Sequence, residues 1–229
     1  SIAQSIDFSI IKKCNHDSLE IEALFFGQAG FFEENKEDSY FELLKGKYLY
    51  LRHKFDLDIN SVNFPKYFRL RPSNFPTIRL SQLAVLFSEK QSLFSRILEA
   101  KSLEDYYTIF TVSANEYWDT HYNFGVCSTK KKKRLTKKFI DLLLINTIIP
   151  LKYSYAKYMG QDASEDIMNL ASTIPYEENS IIKKFNLLGY TAKNSLQSQG
   201  LLQLKNEYCI KNNCLQCAIG NSILKGNTK

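Results

Sequence analysis

The sequence predicts an all-α chain: an irregular assembly of about nine helices with one long Pro-rich structured loop, forming a single domain over residues 1–229. Three observations lead there. Gly and Pro number only 9 and 5 in 229 residues, too few for the turns of an all-β chain of this length. Helix-start and helix-stop signals follow one another closely. No period-2 alternation lasts the roughly five residues of an ordinary strand. A hydrophobic content of 44% supplies enough apolar surface for a core without staples, and no internal repeat is visible.

Taken in order, the first dozen residues, SIAQSIDFSIIK, read as an amphipathic helix with neither the basic start nor the continuous apolar run of a secretion signal. Asp17, with Glu20 three residues on, caps the next helix and puts Leu19, Ala23, Phe26 and Gly30 on one face. From Glu37 to Phe55, the positions Leu44, Tyr48, Leu51 and Phe55 form an apolar stripe, with Lys45, Lys47 and Arg52 turned away. Between Asp56 and Thr77 the pattern stops, and Pro65, Pro72 and Pro76 impose a stiff extended or turn-rich loop. Thr77 is expected to cap a helix carrying Leu80, Leu83, Ala84 and Phe87, and Ser102 with Asp105 marks another start. From Leu135 the positions Phe139, Leu142, Leu143, Asn146 and Ile149 line one face of a long helix that Pro150 should kink or end. Asp162 with Glu165 and Asn194 with Gln197 open two further helices, with Gly160 and Gly189 as the preceding stops.

The most apolar stretch, Phe139 to Leu151, is interrupted by Asp141, Asn146 and Pro150 and falls short of the roughly 18 residues that span a bilayer, so no membrane segment is expected. Five cysteines form no even disulfide ladder, which suits a reducing, cytoplasmic location. The net charge of +6 is a local property. Lys130, Lys131, Lys132, Lys133, Arg134, Lys137 and Lys138 carry seven positive charges with no acid among them, and the rest of the chain is close to neutral. Such a run either grips phosphate through counterion release or is a solvated loop.

Three constellations are candidates for chemistry. Arg69 and Arg71, alternating in an extended segment, project to one side; Arg79 and Gln82 share a helix face, and Asn74 adds a planar amide beside a helix N-terminus at Thr77. Guanidinium forks of this kind suit phosphate and would act with Lys131, Lys132 and Arg134, or else they tie the loop to neighbouring acids. Cys209, Cys214 and Cys217 have the spacing C-x4-C-x2-C, with the last two on one helical face, and could hold Zn or an iron-sulfur cluster. A fourth ligand would come from Cys14, Cys127, His16, His53 or His121; the alternative is simply buried thiols. Around Trp118, His121 and Tyr122, His121 between Glu116 and Asp119 has the makings of a general acid or base, although Trp and Tyr at this spacing also make a core anchor. No nucleophile elbow accompanies it. Glu22, Asn146, Glu178 and Asn179 stand among apolar neighbours and, if buried, require partners, as in a polar network that fixes helix register.

The stretches IEALFFGQAGFF (21–32), FRLRPSNFPTIRLSQLA (68–84), YWDTHYNF (117–124), INTIIP (145–150), IPYEEN (174–179), NSLQSQGLLQLK from Asn194 and YCIKNNCLQCAIG (208–220) together resemble, in this order, the C-terminal half of the bacterial family called domain of unknown function 2851. The family pattern has His where this chain has Cys14. The resemblance implies an N-terminal half with an Asp-Ala-Gly-Pro-Asp-Phe stretch and a later Glu-x-His, similar to the metal-binding carboxylates of restriction-endonuclease-like nucleases. None of those residues is in this chain. Beginning at Ser1 rather than Met, the chain reads as the C-terminal fragment of a longer protein, not catalytic alone, whose parent is nuclease-like.

Two function classes follow. One is a DNA- or RNA-binding helical module that positions the nuclease-like half through Arg69, Arg71, Asn74, Arg79, Gln82, Lys131, Lys132 and Arg134. The other is a structural or protein-interaction module with a polar core network and a cysteine metal site, which docks its own N-terminal half.

Overall fold

A computed structural model of the chain describes residues 5–14, 16–58, 65–67 and 69–226. The start of the first expected helix, part of the Pro-rich loop and Phe68 therefore lie outside the described residues. Among the described residues the fold is all-α, 64% helical with 11 helices and almost no strand. Its backbone forms two compact units, residues 1–97 with 107–136 and residues 98–106 with 137–229.

The first unit is built around one helix buried on nearly every side. Helix α1 (Phe8–Lys13) is capped by Asp7. Helix α2 (Ser18–Gln28) starts where the Asp17 carboxylate accepts from the Leu19 and Glu20 amides at 2.8 and 3.3 Å. From Ile21 to Gln28 every residue of α2 is buried. Helix α3 (Ser39–Phe55), capped by Asp38, and helix α4 (Pro76–Glu89) both pack on α2. Of the expected α3 stripe, Leu44, Tyr48 and Leu51 are buried and Phe55 is half-buried, while Phe41, outside that stripe, is buried as well. One apolar cluster gathers Ala23, Phe26, Phe41, Leu44, Tyr48, Trp118 and Phe124; a second gathers Ile6, Ile10, Ile21, Leu24, Phe25, Leu51 and Ala84.

Helix α4 departs from the expected pattern. Its N-cap is Phe75 and Pro76 is its first residue, where a missing N–H costs nothing. Thr77 is not a cap: it is buried, and its hydroxyl donates to the Tyr122 carbonyl at 2.6 Å. Leu83 is exposed, and the buried face carries Thr77, Ile78, Ser81, Gln82, Ala84, Val85 and Leu86. Polar side chains go inward because groups on other elements demand them.

Helices α5 (Leu93–Glu99) and α6 (Leu103–Phe110) follow. Ser102 and Asp105 form the reciprocal cap expected of them, with Ser102 N–H donating to Asp105 at 2.8 Å and Asp105 N–H to the Ser102 hydroxyl at 3.2 Å. A short antiparallel hairpin, β1 (His121–Asn123) and β2 (Val126–Cys127), turns at Gly125, whose φ is +71°. It is an addition to the predicted fold, too short for alternation to reveal.

In the second unit, helix α7 runs as Lys137–Leu143 and Ile149–Tyr158, joined by a π-helical turn at Leu144–Ile148. Pro150 does not end it. The wider turn shifts the hydrogen-bond register just ahead of the proline, which then occupies a first-turn position where its absent N–H is harmless. The buried residues are Ile140, Asp141, Leu144, Ile145 and Ile148, one step round from the expected face, and Ala156 further on. Asn146 is exposed and donates to the Leu142 carbonyl at 2.9 Å.

Helices α8 (Ser164–Thr173), α9 (Ser180–Leu187), α10 (Ser195–Gln203) and α11 (Ala218–Leu224) complete this unit. Asn194 caps α10, and Gly160 and Gly189, both at positive φ, sit at the expected stops. Asn179 caps α9 by accepting from the Ile181 and Ile182 amides. Glu178 is exposed and pairs with Lys138, so it belongs to no buried network.

Candidate functional site

The most constrained polar group in the first unit is Glu22, fully buried in the middle of α2. Trp118 Nε1 donates to its Oε1 at 2.6 Å and the Tyr40 hydroxyl at 3.0 Å; the Ser81 hydroxyl donates to Oε2 at 2.8 Å, joined there by Asn115 Nδ2. All four donors are neutral. Burial raises the Glu22 pKa above its ordinary 4.5, against the lowering effect of these hydrogen bonds. The backbone N–H of Asn115 donates to Ser81 at 3.0 Å, so one carboxylate draws α2, α3, α4 and the Trp118 turn together. The same burial, with the adjacent carboxylate, pushes the Tyr40 phenol far up.

A raised carboxyl pKa has a definite sign in stability. Above the ordinary 4.5 the unfolded chain releases its proton before the folded one does, so the unfolded state binds fewer protons and stability falls as pH rises toward the folded value. The capping carboxylates Asp38 and Asp105, whose pKa values are lowered, act oppositely and lose stability as pH falls below the ordinary 3.8. Denaturation of wild type and Glu22→Gln across mildly acidic pH should therefore show the wild type losing stability relative to the variant as pH increases.

Beside this network lies the basic segment, which is no loose loop. The Ala114 N–H donates to the Lys133 carbonyl at 3.0 Å, the Leu135 N–H to Val112 at 2.9 Å and the Lys131 N–H to Asp119 at 2.7 Å, and Ser113 and Arg134 form an antiparallel bridge. Gln82 Nε2 reaches from α4 to the same Lys133 carbonyl at 2.9 Å. Lys133 itself is buried: its ammonium donates to the Asp119 carbonyl at 3.0 Å and lies 4.1 Å above the Tyr122 ring, and desolvation lowers its pKa. An extended chain alternates sides, so turning Lys133 inward turns Lys132 and Arg134 outward. Lys130, Lys131, Lys132 and Arg134 are exposed, and among the described residues none of them forms an ion pair. Lys137 and Lys138 do, with Glu104 and Glu178.

The arginine loop connects to this strand by a chain of hydrogen bonds. Arg79 donates through Nη2 to Asn74 Oδ1 at 2.6 Å and through Nη1 to Gln82 Oε1 at 2.8 Å, and Gln82 holds Lys133. Asn74, Arg79 and Gln82 thus spend these groups on one another, and burial draws the Arg79 pKa down to about 10. Arg71 is exposed and flanks the 3-10 turn Pro72–Asn74. Arg69 sits at φ +61°, in the left-handed region, so the strict alternation that placed it on the side of Arg71 fails.

In the second unit, Cys209 and Cys214 are exposed and Cys217 is buried. Cys214 opens a 3-10 turn and Cys217 is extended, with φ −91° and ψ 127°, so the two do not share a helical face. Among the described residues no three His, Cys, Asp or Glu side chains converge as metal ligands. The same unit holds a cavity of about 870 Å³ lined by Tyr106, Lys152, Tyr155 and Asp166 among others. Lys152 donates there to the carbonyls of Leu98 and Ala100 and to the Tyr106 hydroxyl, at 3.3, 3.1 and 2.8 Å. All three protons of its ammonium are thereby used, which makes it a clamp on the end of α5. Sequence patterning gave no sign of this clamp, because its acceptors are mostly backbone.

Among the described residues no helix is long and apolar enough to cross a membrane. No curated protein and no solved structure matches the chain. The profile of the family described as protein of unknown function (DUF2851) matches residues 1–180, a span that takes in the Glu22 network and the basic strand and stops before the tail cysteines. On that match the chain belongs to the DUF2851 family.

Proposed function

We propose that the first unit is a nucleic-acid-binding module that holds the phosphate backbone along residues 130–134, with Lys131, Lys132 and Arg134 as its main contacts and Arg71 and Arg69 beside them. The observation that carries this reading is that Lys130, Lys131, Lys132 and Arg134, exposed and among the described residues without ion-pair partners, are mounted on a pinned extended segment. A solvated charge run has no reason to be pinned by five backbone and side-chain hydrogen bonds, and pinning removes much of the ordering cost that flexible lysines meet on binding. Asn74, Arg79 and Gln82 serve as the frame for that strand. Its partners are DNA or RNA and, as the family resemblance implies, a nuclease-like half of its own parent. Five unpaired cysteines support a reducing, cytoplasmic setting.

Fluorescence anisotropy with labelled single- and double-stranded oligonucleotides tests the reading. Affinity should be measurable at low salt, and its logarithm should fall linearly with the logarithm of salt concentration. Absence of binding at low salt, or binding indifferent to salt, defeats it.

A further inference from the structure

We infer that Cys127 is a reactive-thiol site, with His121 as its proton acceptor, open to exchange with small disulfides. The hairpin makes the pair: His121 and Cys127 face each other across β1 and β2, and Cys127 Sγ lies 3.5 Å from His121 Nε2. The other ring nitrogen fixes the tautomer. Nδ1 lies 3.0 Å from the Tyr117 carbonyl, which only accepts, so Nδ1 carries the hydrogen and Nε2 presents a lone pair to the thiol. The Thr120 hydroxyl, which donates to the same carbonyl at 3.4 Å, leaves its oxygen to accept from Nδ1 at 3.0 Å.

The imidazole is also held in plane. It stacks on Tyr117 at 4.1 Å and 3°, and Tyr117 stacks on Tyr40 at 4.2 Å and 10°. The Tyr117 hydroxyl donates to Asp38 at 2.7 Å, tying the stack to the cap of α3. A nucleophile, a base and a group that orients the base are the three parts of an activated thiol. Cys127 is exposed, so a reagent can reach it; Cys14 is buried, and burial pushes its pKa up to about 11. Cys209 and Cys214 are exposed and, among the described residues, no imidazole lies against either of them.

In the exchange the Cys127 thiol gives its proton to His121 Nε2, its sulfur forms a bond to one sulfur of the disulfide, and the old S–S bond breaks. The second sulfur leaves as a thiolate and takes the proton back from His121. One mixed disulfide and one small thiol result, with no other oxidant required.

The test is reaction of the folded full chain with 5,5′-dithiobis(2-nitrobenzoate), with each cysteine followed by peptide mass mapping. Cys127 should react about tenfold or more faster than Cys209 and Cys214, by the usual size of a positioned base. His121→Gln should bring Cys127 down to their rate while Cys209 and Cys214 react as before, and unchanged helical circular dichroism certifies the fold. Equal rates for the three exposed cysteines in the wild type, or a Cys127 rate untouched by His121→Gln in a folded variant, overturns the inference.

Discussion

Replacing Glu22 by Ala should destabilise the first unit by roughly 3–5 kcal/mol, because the change orphans four donors in the core while opening a cavity. Trp118 Nε1, the Ser81 and Tyr40 hydroxyls and the Asn115 amide all converge on this one carboxylate. Trp118 is fully buried, so its indole N–H has no water to turn to. Glu22→Gln keeps the shape and one acceptor oxygen but points an amide NH2 at donors on the other side, and should cost less, about 1–3 kcal/mol. Urea or guanidinium melts of the two variants, compared at fixed pH, check the order. A Glu22→Ala melt within error of wild type would mean that the network contributes nothing to stability.

Gly27→Ala should cost about 3 kcal/mol or more, although the same substitution in an open helix is favourable. A Cβ at Gly27 would lie 2.1–2.3 Å from three carbons of the Tyr48 ring. That ring cannot swing aside cheaply: it is buried, packs on Phe32 at 5.7 Å and accepts from Gln28 Nε2 at 3.1 Å. Displacing it also breaks the hydrogen bond that Gln28, fully buried, depends on. The close approach of α2 and α3 is what the glycine permits. Gly46, in the exposed part of α3 with nothing within 4 Å of its added Cβ, is the control; Gly46→Ala should stabilise by roughly 0.5–1 kcal/mol through helix propensity alone. Opposite signs for two Gly→Ala changes in neighbouring helices would place the cost at the Tyr48 contact.

Glu22 and Gly27 both fall within IEALFFGQAGFF, a stretch that announced one part of its structure and hid another. The Asp17 cap, the Asp105 box and the Asn194 cap are set by side chains two or three residues from the groups they satisfy, and the glycine stops by a positive φ at the glycine itself, and they were readable because they are local. A carboxylate among apolar neighbours announced that Glu22 needs partners, but its donors come from 18 to 96 residues away. Once α4 must supply Ser81 to Glu22 and Gln82 to the Lys133 carbonyl, its polar residues face inward and Leu83 faces out, against the apolar rule. On α7, apolar residues lie on every face, so periodicity leaves the buried side undetermined by one residue. The π-turn before Pro150 is a backbone solution with no side-chain signature.

The candidate site divides in the same way. The basic run was visible as composition, and its charges are where the sequence put them. Its rigidity was not, because the pinning bonds run mostly through backbone carbonyls and through Lys133, the one member of the run whose ammonium is buried. The Cys127–His121 pair is six residues apart and is created by a hairpin too short to leave a pattern.

The claim that phosphate is held by a pinned cationic strand is tested most directly by the salt dependence of binding with two of its outward charges removed. The Lys132→Gln, Arg134→Gln double variant leaves Lys133 and every backbone bond of the strand in place. If each side chain neutralises one phosphate, the slope of log affinity against log salt should shrink by about two, with weakening that is similar across oligonucleotide sequences. A slope equal to that of the wild type, in a variant with unchanged melting, would contradict the account.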